Sequence, residues 1–196
     1  MTGPEAVVYL VRHGRTALNE AGVLRGWLDP PLDETGEAEA ARLGDGLAPA
    51  GLAAVVTSPL RRARQTATAI AHAAGVRLEV DDRLVDRDYG EWAGTAASDL
   101  TRRFGSVDAA PGVENSDHLT KRAVMAVTDA ADRWAPAAVA VVAHDAVNRA
   151  VLSSLVPGVG GPDGVAQRTG CWNRLEHNRG RWSASIVDAL PDDRRP

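Results

Sequence analysis

The sequence predicts a three-layer α/β/α sandwich around a mostly parallel sheet, with an antiparallel hairpin at its C-terminal end. Strand-like and helix-like runs alternate along most of the chain, as they do when helices cover both faces of a sheet. Two apolar runs, Val7–Val11 and Ala137–Ala143, lead directly into Arg12-His13-Gly14 and His144-Asp145. Open α/β sheets place their ligand sites at such strand ends, and histidines with nearby arginines there suggest phosphate chemistry.

The first two elements begin this alternation. The apolar run Val7–Val11 predicts a buried strand. The stretch Glu34–Leu47 is rich in alanine and glutamate and predicts a helix. The turn residues Asp29-Pro30-Pro31 precede it, and Gly46 and Pro49 mark its end.

The next elements continue the same order. The apolar run Leu52–Val56 predicts a second buried strand. A helix is expected over Pro59–Ala74, because proline fits a first helical turn, where its missing N–H costs nothing, and Gly75 follows the last residue. Residues Val76–Val80 alternate in polarity and predict a third strand.

The stretch 81–116 is irregular and rich in glycine, aspartate and proline, with one short helix predicted near Ala96–Phe104. Long irregular segments in compact folds are often functional, so we expect this one to cap an active site. A helix over Ser116–Trp134 then leads into the strand Ala137–Ala143.

The C-terminal part is predicted to hold a helix at Ala146–Leu155, a glycine-rich connection at Gly158–Gly170, and the two hairpin strands Trp172–His177 and Arg181–Val187. The turn Asn178-Arg179-Gly180 separates these strands. Because the chain contains no internal repeat and no linker, we expect a single domain over residues 1–190. Residues 191–196 are expected to form a disordered tail.

The composition of the chain excludes several classes of protein. A chain of 196 residues with 44% hydrophobic and 24% charged residues is large enough to bury a core. A net charge of −4 argues against a non-specific nucleic-acid binder. The N-terminus lacks the pattern of a signal peptide, and no apolar stretch reaches membrane-spanning length. The single cysteine, Cys171, cannot form an internal disulfide or a cysteine-based metal site. We therefore expect a soluble cytoplasmic protein with no nucleic-acid or membrane partner.

Five short blocks of sequence contain the residues that could take part in catalysis or binding. In chain order they are Leu10-Val11-Arg12-His13-Gly14-Arg15-Thr16 with Asn19; Gly26-Trp27-Leu28-Asp29-Pro30-Pro31-Leu32 with Thr35-Gly36; Thr57-Ser58-Pro59-Leu60-Arg61-Arg62-Ala63 with Gln65-Thr66-Ala67; Asp86-Arg87-Asp88-Tyr89-Gly90-Glu91-Trp92 with Gly94; and Val141-Val142-Ala143-His144. Their order and spacing resemble the histidine phosphatase superfamily, which includes cofactor-dependent phosphoglycerate mutase and many small bacterial phosphatases. The resemblance extends from Val7 to about Val187 and implies a phosphoglycerate mutase-like fold. A lone Arg-His-Gly would be a weak signal, whereas five blocks in order are a specific one.

The resemblance implies roles for the matched residues. His13 matches the nucleophile that takes the phosphoryl group, and a neutral imidazole is a competent nucleophile near pH 7. Arg12, Arg62 and His144 match the groups that bind the phosphoryl oxygens, for which guanidinium forks are well suited. No metal ion or other cofactor is implied, since the arginines supply the positive charge. The remaining substrate-binding residues are expected to be Thr16, Asn19, Gly26 and the backbone around Gly14.

The chain departs from the family at the proton donor. Relatives use a glutamate where this chain has Asp86, and a carboxylate one methylene shorter reaches about 1.5 Å less far. A proton donor must come within hydrogen-bond distance of the leaving oxygen. Asp145 is the alternative, because it follows His144 and a branch of the family, the acid phosphatases and phytases, uses such a His-Asp pair. We favour Asp86; in a third outcome neither carboxylate works well and the enzyme is weak.

Arg15 is a second departure, since an acidic or amide residue commonly follows the glycine in relatives. Its charge is expected to lie at the mouth of the site and to favour a doubly charged or larger anionic substrate. The alternative is an arginine that simply faces solvent.

Three functional hypotheses follow. The first is a phosphomonoester hydrolase that acts on a small phosphorylated metabolite through a phosphohistidine. The second is a phosphoglycerate-mutase-type phosphotransferase, which is disfavoured because the segment that carries a longer basic insertion in mutases is short here. The third is a catalytically weak or inert protein that binds phosphate ligands, a hypothesis motivated by the aspartate at position 86.

Overall fold

The computed structural model describes residues 4–161 and 164–191. In these residues the strands are β1 (Ala6–Arg12), β2 (Leu52–Thr57), β3 (Arg77–Val80), β4 (Ala138–Ala143), β5 (Trp172–Asn178) and β6 (Arg181–Ala189). The helices are α1 (Ala17–Glu20), α2 (Glu34–Leu47), α3 (Arg61–Ala74), α4 (Ala97–Phe104), α5 (Ser116–Trp134) and α6 (Asp145–Leu155). Single 3₁₀ turns lie at Ala48–Ala50, Asp82–Leu84 and Gly90–Trp92.

The strands form one sheet in the order β3-β2-β4-β1-β5-β6. The four strands β3, β2, β4 and β1 run parallel, and β5 is antiparallel to both β1 and β6. The predicted mostly parallel sheet with a C-terminal hairpin is therefore confirmed. Because β1 and β4 are neighbours, with Arg12 opposite Ala143, their carboxyl ends open at the same place on the sheet.

Helices cover both faces of the sheet, which confirms the three-layer sandwich. On one face, Leu43, Leu47 and Ile70 from α2 and α3 pack with the side chains of β1 and β2. On the other face, α5 and α6 bury a second cluster that includes Leu119, Val127 and Val151. Burial of this apolar surface is the main source of stability for the fold.

The predicted elements agree with the structure apart from their ends and one missed helix. The helix predicted to begin at Pro59 begins at Arg61, and the last strand continues to Ala189. The missed helix is α1, whose single turn is too short to show a helical period in the sequence. The expected tail falls, from residue 192 onward, outside the described residues.

The irregular segment 81–116 is tied to the loop that precedes α2. Val23 and Ala96 form an isolated antiparallel bridge. The N–H of Leu24 donates to the carbonyl of Thr95 at 2.8 Å, and the N–H of Gly94 donates to the carbonyl of Leu24 at 2.7 Å.

Within the described residues, no helix combines the length and the apolar character that a bilayer crossing requires.

The turn after β1 and the first turn of α2 touch through their backbones. A Cβ added at Gly36 would lie 2.0 Å from the carbonyl oxygen of Arg15, and one added at Gly14 would lie 2.5 Å from the carbonyl oxygen of Gly36. The Asp33 carboxylate caps α2 by accepting the N–H of Gly36 at 2.8 Å. Glycine is therefore required on both sides of this crossing.

We expect Gly36→Ala to lower the free energy of unfolding by about 1–3 kcal/mol or more, because the new methyl group overlaps fixed backbone atoms. Gly46→Ala is the matched control in the same helix, since its Cβ would meet nothing closer than Pro191 Cβ at 3.5 Å. That variant gains helix propensity of up to about 1 kcal/mol. Urea unfolding measures both, and equal effects of the two variants would contradict the backbone contact.

Candidate active site

The two strand-end histidines lie side by side. His13 directly follows β1, His144 directly follows β4, and both are fully buried. The centroids of their rings are 5.1 Å apart, and the ring planes make an angle of 60°. The parallel pairing of β1 and β4 thus brings together two residues that are 131 positions apart in the sequence.

The surroundings of His13 fix its tautomer. Its Nδ1 lies 2.7 Å from the carbonyl oxygen of Gly14, which can only accept, so Nδ1 carries the proton. Its Nε2 accepts the N–H of Arg62 Nε at 3.2 Å. Burial, followed by the charges of Arg62 and Arg12, holds the pKa of His13 well below its usual value. The ring is therefore neutral, with the lone pair of Nε2 on the side of Arg62.

Arg62, in the first turn of α3, connects several parts of the site. Besides His13, its guanidinium donates to the carbonyl of Leu28 at 2.7 Å, the carbonyl of Gly26 at 2.9 Å and the Asp86 carboxylate at 2.9 Å. The side chain is completely buried. Burial lowers the pKa of Arg62, and the charge of Asp86 opposes that shift. Gly26, a predicted substrate-binding residue, contributes its carbonyl to this arrangement.

Asp86 lies beside His144 and shares the Arg62 guanidinium with His13. The residue is 3% exposed, its Oδ2 accepts from Arg62, and its Oδ1 accepts the N–H of Arg87 at 2.9 Å. The same Oδ2 is 3.8 Å from Nδ1 of His144. Burial raises the pKa of Asp86, with the Arg62 guanidinium acting in the opposite direction. A carboxyl whose pKa is raised holds its proton to a higher pH, as a proton donor requires.

His144 is held from its far side by Ser58. Its Nε2 lies 2.8 Å from the Ser58 hydroxyl, and burial lowers the pKa of the ring well below the usual value. A hydroxyl can donate to this nitrogen or accept from it, so both neutral tautomers of His144 are compatible with the contact. Among the described residues, this buried Nδ1 has no hydrogen-bond partner.

Arg12 is positioned by the loop that precedes β5. Its Nη1 donates to the carbonyl of Gln167, while its buried Nε has no hydrogen-bond partner in the described part of the chain. The Gln167 amide is in turn bonded to Asn148 at 3.1 Å and to Asn173 at 2.8 Å. The glycine-rich stretch 158–170 was expected to be a plain connection, but Gln167 in this stretch orients an arginine of the site.

Asp145, the alternative proton donor, has a different environment from Asp86. Its side chain is 31% exposed, and it pairs with Arg149 one turn along α6 at 2.8 Å. Its contact with Arg12 is longer, at 3.8 Å. Among the contacts of the described residues, none joins the Asp145 carboxylate to His13, His144 or Arg62.

The residues around and after Gly14 mainly form hydrogen bonds that hold the loop after β1 in place. The N–H of Gly14 donates to the Thr66 hydroxyl at 3.0 Å. Both the N–H and the hydroxyl of buried Thr16 donate to Asn19 Oδ1, at 3.0 and 2.9 Å. Substrate binding by Gly14, Thr16 and Asn19 stays a prediction.

The Arg15 side chain is held by hydrogen bonds to residues at the start of α2. Its Nε donates to Asp33 at 3.0 Å, its Nη2 donates to Thr35 at 2.9 Å, and Glu20 lies 3.9 Å away. The side chain is one-third exposed, so Arg15 neither extends freely into solvent nor hydrogen-bonds to the histidines. Its role toward substrate stays a prediction.

Asp86 is also anchored through its backbone, by residues to which the sequence had assigned no role. Arg122 on α5 donates to the carbonyls of Val85 at 2.6 Å and Asp86 at 3.1 Å, and it forms a two-bond ion pair with Glu114. The indole N–H of Trp27 donates to the same Asp86 carbonyl at 2.9 Å. The available signal in the sequence was Glu114, in the stretch Gly112-Val113-Glu114-Asn115-Ser116, which only approximately resembles a glycine-rich Glu-Ser motif of the histidine phosphatase superfamily.

We expect the buried histidines to make the protein less stable as the pH is lowered. Because their pKa values are lowered in the fold, the unfolded chain binds more protons below pH ~6.5, and each histidine costs roughly 1 kcal/mol between pH 7 and 5.5. His144→Gln should reduce this loss by about that amount. The exposed His72→Gln is the control, and urea unfolding at both pH values measures the difference. An unchanged pH dependence in His144→Gln would contradict a neutral, buried ring.

In the described residues, no group of three or more His, Cys, Asp or Glu side chains is arranged to hold a metal ion. The polar residues of the site are instead dominated by the two histidines, Arg12, Arg62 and Asp86.

Comparison with solved structures supports the fold. YhfR from Bacillus stearothermophilus superimposes with a TM-score of 0.84 at 25% identity, covering 94% of this chain and 97% of its own. A mycobacterial glucosyl-3-phosphoglycerate phosphatase superimposes with a TM-score of 0.83 at 24% identity, covering 94% and 99% of the two chains.

Sequence comparison identifies the family. A Bacillus subtilis (strain 168) protein described as the uncharacterized phosphatase PhoE is 30% identical over 179 residues, 89% of this chain and 90% of its own. The probable phosphoglycerate mutase GpmB of Salmonella newport (strain SL254) is 28% identical over 201 residues, 94% and 92% of the two chains. The model of the histidine phosphatase superfamily (branch 1) matches residues 8–188. This chain belongs to the histidine phosphatase superfamily, whose members similar to it include phosphatases and phosphoglycerate mutases.

Proposed function

We propose that the protein is a phosphomonoester hydrolase that acts on a small phosphorylated metabolite through a phosphohistidine at His13. The observation that carries this proposal is the tautomer of His13, whose Nδ1–H is held by the Gly14 carbonyl while Nε2 faces Arg62. A neutral ring whose unprotonated Nε2 lies beside a guanidinium can attack an electrophilic, anionic phosphoryl group that the guanidinium attracts.

In the first step, Nε2 of His13 attacks phosphorus, and the bond between phosphorus and the ester oxygen breaks. The leaving oxygen takes the electron pair of that bond and a proton from the Asp86 carboxyl, so an alcohol departs. The raised pKa of Asp86 favours the protonated form that this step needs.

In the second step, water attacks the phosphohistidine. The Asp86 carboxylate accepts a proton from the water, the N–P bond breaks, and its electron pair returns to Nε2 of His13. Inorganic phosphate then leaves, and both residues are restored to their starting protonation states.

The phosphoryl oxygens would be held by donors around His13. Arg12 Nε is a buried N–H group and His144 Nδ1 is a buried ring nitrogen, both without a partner among the described residues, and the Arg62 guanidinium adjoins Nε2 of His13. Fixed donors of this kind stabilise developing charge without reorganising during the reaction.

Asp86 is preferred to Asp145 as the proton donor for two reasons. Asp86 shares Arg62 with the nucleophile, whereas Asp145 is paired with Arg149 and is one-third exposed.

We also propose that 81–116 caps the site within a single domain. Two observations support this proposal. The segment contributes Asp86 to the site, and its residues Gly94 and Thr95 form backbone hydrogen bonds with Leu24.

We expect incubation with a ³²P-labelled phosphomonoester, followed by rapid quenching, to trap a label that is stable to alkali and lost in acid. His13→Ala should abolish both the label and the release of phosphate, while the exposed His72→Ala should retain both.

A metabolite panel scored for released phosphate, and for interconversion of 2- and 3-phosphoglycerate, separates hydrolysis from mutase activity. Phosphate release that persists in His13→Ala, or interconversion without release, would contradict the proposal.

We expect Asp86→Ala to reduce kcat by 10²- to 10⁴-fold on alkyl phosphates, because the poor leaving group needs a proton. The loss should be much smaller on p-nitrophenyl phosphate, whose leaving group needs none, provided that formation of the phosphohistidine limits the rate. Asp86→Asn should also remove the fall in activity at alkaline pH that follows loss of the donor proton. Asp145→Ala is the matched comparison. A leaving-group dependence that appears in Asp145→Ala instead would assign the proton donor to Asp145.

A further inference from the structure

Ser58 and His144 lie at the ends of neighbouring parallel strands. Ser58 directly follows β2, His144 directly follows β4, and Thr57 lies opposite Val142 in the pairing of these strands. The N–H of Ser58 donates to the carbonyl of Val142 at 3.1 Å. Both side chains are fully buried, and the Ser58 hydroxyl lies 2.8 Å from Nε2 of His144. The pairing of the two strands therefore sets the contact between the hydroxyl and the ring.

The other hydrogen bond of the Ser58 hydroxyl bears on the direction of this contact. The hydroxyl accepts the N–H of Leu60 at 3.3 Å. It has two acceptor lone pairs but a single proton to donate. Across residues 4–161 and 164–191, the one acceptor within hydrogen-bond distance of that proton is Nε2 of His144. If the hydroxyl accepted from Nε2 instead, its own proton would be buried without an acceptor there, which is costly.

The opposite side of the His144 ring gives a second reason. Its Nδ1 is buried, has no hydrogen-bond partner in the described part of the chain, and lies 3.8 Å from Oδ2 of Asp86. That oxygen carries negative charge, because it accepts from Arg62. An Nδ1–H is attracted to the oxygen, whereas the lone pair of a bare Nδ1 is repelled by it. Donation by Ser58 thus leaves one polar group without a partner, and the opposite arrangement leaves two.

The position of this proton matters for the reaction because a phosphoryl group brings anionic oxygens next to the ring. The ring centroids of His144 and His13 are 5.1 Å apart, so a phosphoryl group carried by His13 would lie close to His144. An Nδ1–H can donate to a phosphoryl oxygen and stabilise its charge, whereas a bare Nδ1 repels it. Of the two neutral tautomers, the one with its proton on Nδ1 therefore suits phosphoryl binding.

We propose that Ser58 is a positioning residue, whose hydroxyl donates to Nε2 of His144 and thereby keeps the ring in the Nδ1–H tautomer. The site then presents a hydrogen-bond donor, rather than a lone pair, to a phosphoryl oxygen. This inference rests on the proposed phosphomonoester hydrolysis for the identity of the anion. Ser58 acts through His144 and is not itself a catalytic residue.

The first test is the tautomer of His144, which can be measured without a substrate. In protein labelled with ¹⁵N-histidine, two-bond ¹H–¹⁵N spectra distinguish a protonated ring nitrogen from a bare one, and the signals lost in His144→Gln belong to this ring. We expect the wild type to carry the proton on Nδ1 and Ser58→Ala to gain the Nε2–H form. A wild-type ring with its proton on Nε2 would overturn the proposal, whether or not Ser58→Ala folds.

The second test is whether the reaction uses this tautomer. We expect Ser58→Ala to lower kcat/KM on p-nitrophenyl phosphate by about 10- to 100-fold, because part of the protein then lacks one donor to the developing charge. Thr57→Val is the matched control, since it removes the neighbouring buried hydroxyl, which bonds to the carbonyls of Ser58 and Val142 instead of a histidine. It should keep the wild-type tautomer and rate. An unchanged tautomer or rate in Ser58→Ala, or equal losses in the two variants, would contradict the positioning role.

Binding of inorganic phosphate separates this proposal from the proposed function. If the wild type releases phosphate from no ester, including p-nitrophenyl phosphate, the hydrolase proposal fails, but the spectra and calorimetry with inorganic phosphate still test Ser58. We expect Ser58→Ala to weaken phosphate binding by about 10-fold, as for loss of a hydrogen bond to a charged group, and Thr57→Val to leave it unchanged. Equal affinities of the wild type and Ser58→Ala would refute the proposal.

Discussion

The buried guanidinium of Arg62 is the interaction on which the candidate active site depends. It donates to the imidazole of His13, to the carboxylate of Asp86 and to two carbonyls of the loop before α2. These partners come from three separate parts of the chain and are held in one geometry by a single rigid group. Removing it would leave Asp86 buried and uncompensated, which is a costly state.

The backbone of Asp86, which stands where the family resemblance predicts a glutamate, is fixed from two sides. A shorter carboxylate must be carried closer by its backbone, and the Asp86 carbonyl is fixed by Arg122 from α5 and by Trp27 from the opposite loop. Glu114 holds Arg122 with two hydrogen bonds at 2.7 and 2.8 Å. These anchors fix the backbone position from which the Asp86 carboxylate reaches Arg62 at 2.9 Å.

Much of this could be predicted from the sequence, because apolar runs locate strands and parallel strands bring their carboxyl ends together. His13 and His144 were placed correctly at adjacent strand ends for this reason. The tautomer of His13 and the roles of Gln167 and Arg122 could not be predicted, since each depends on contacts between segments far apart in the chain.

The most direct test of this account is the protonation state of His13 in the free protein. Two-bond ¹H–¹⁵N spectra of protein labelled with ¹⁵N-histidine report which ring nitrogen carries the proton, and His13→Gln assigns the signal. The account predicts a neutral ring near pH 7 with the proton on Nδ1 and a bare Nε2. A proton on Nε2, or a doubly protonated ring at that pH, would contradict it.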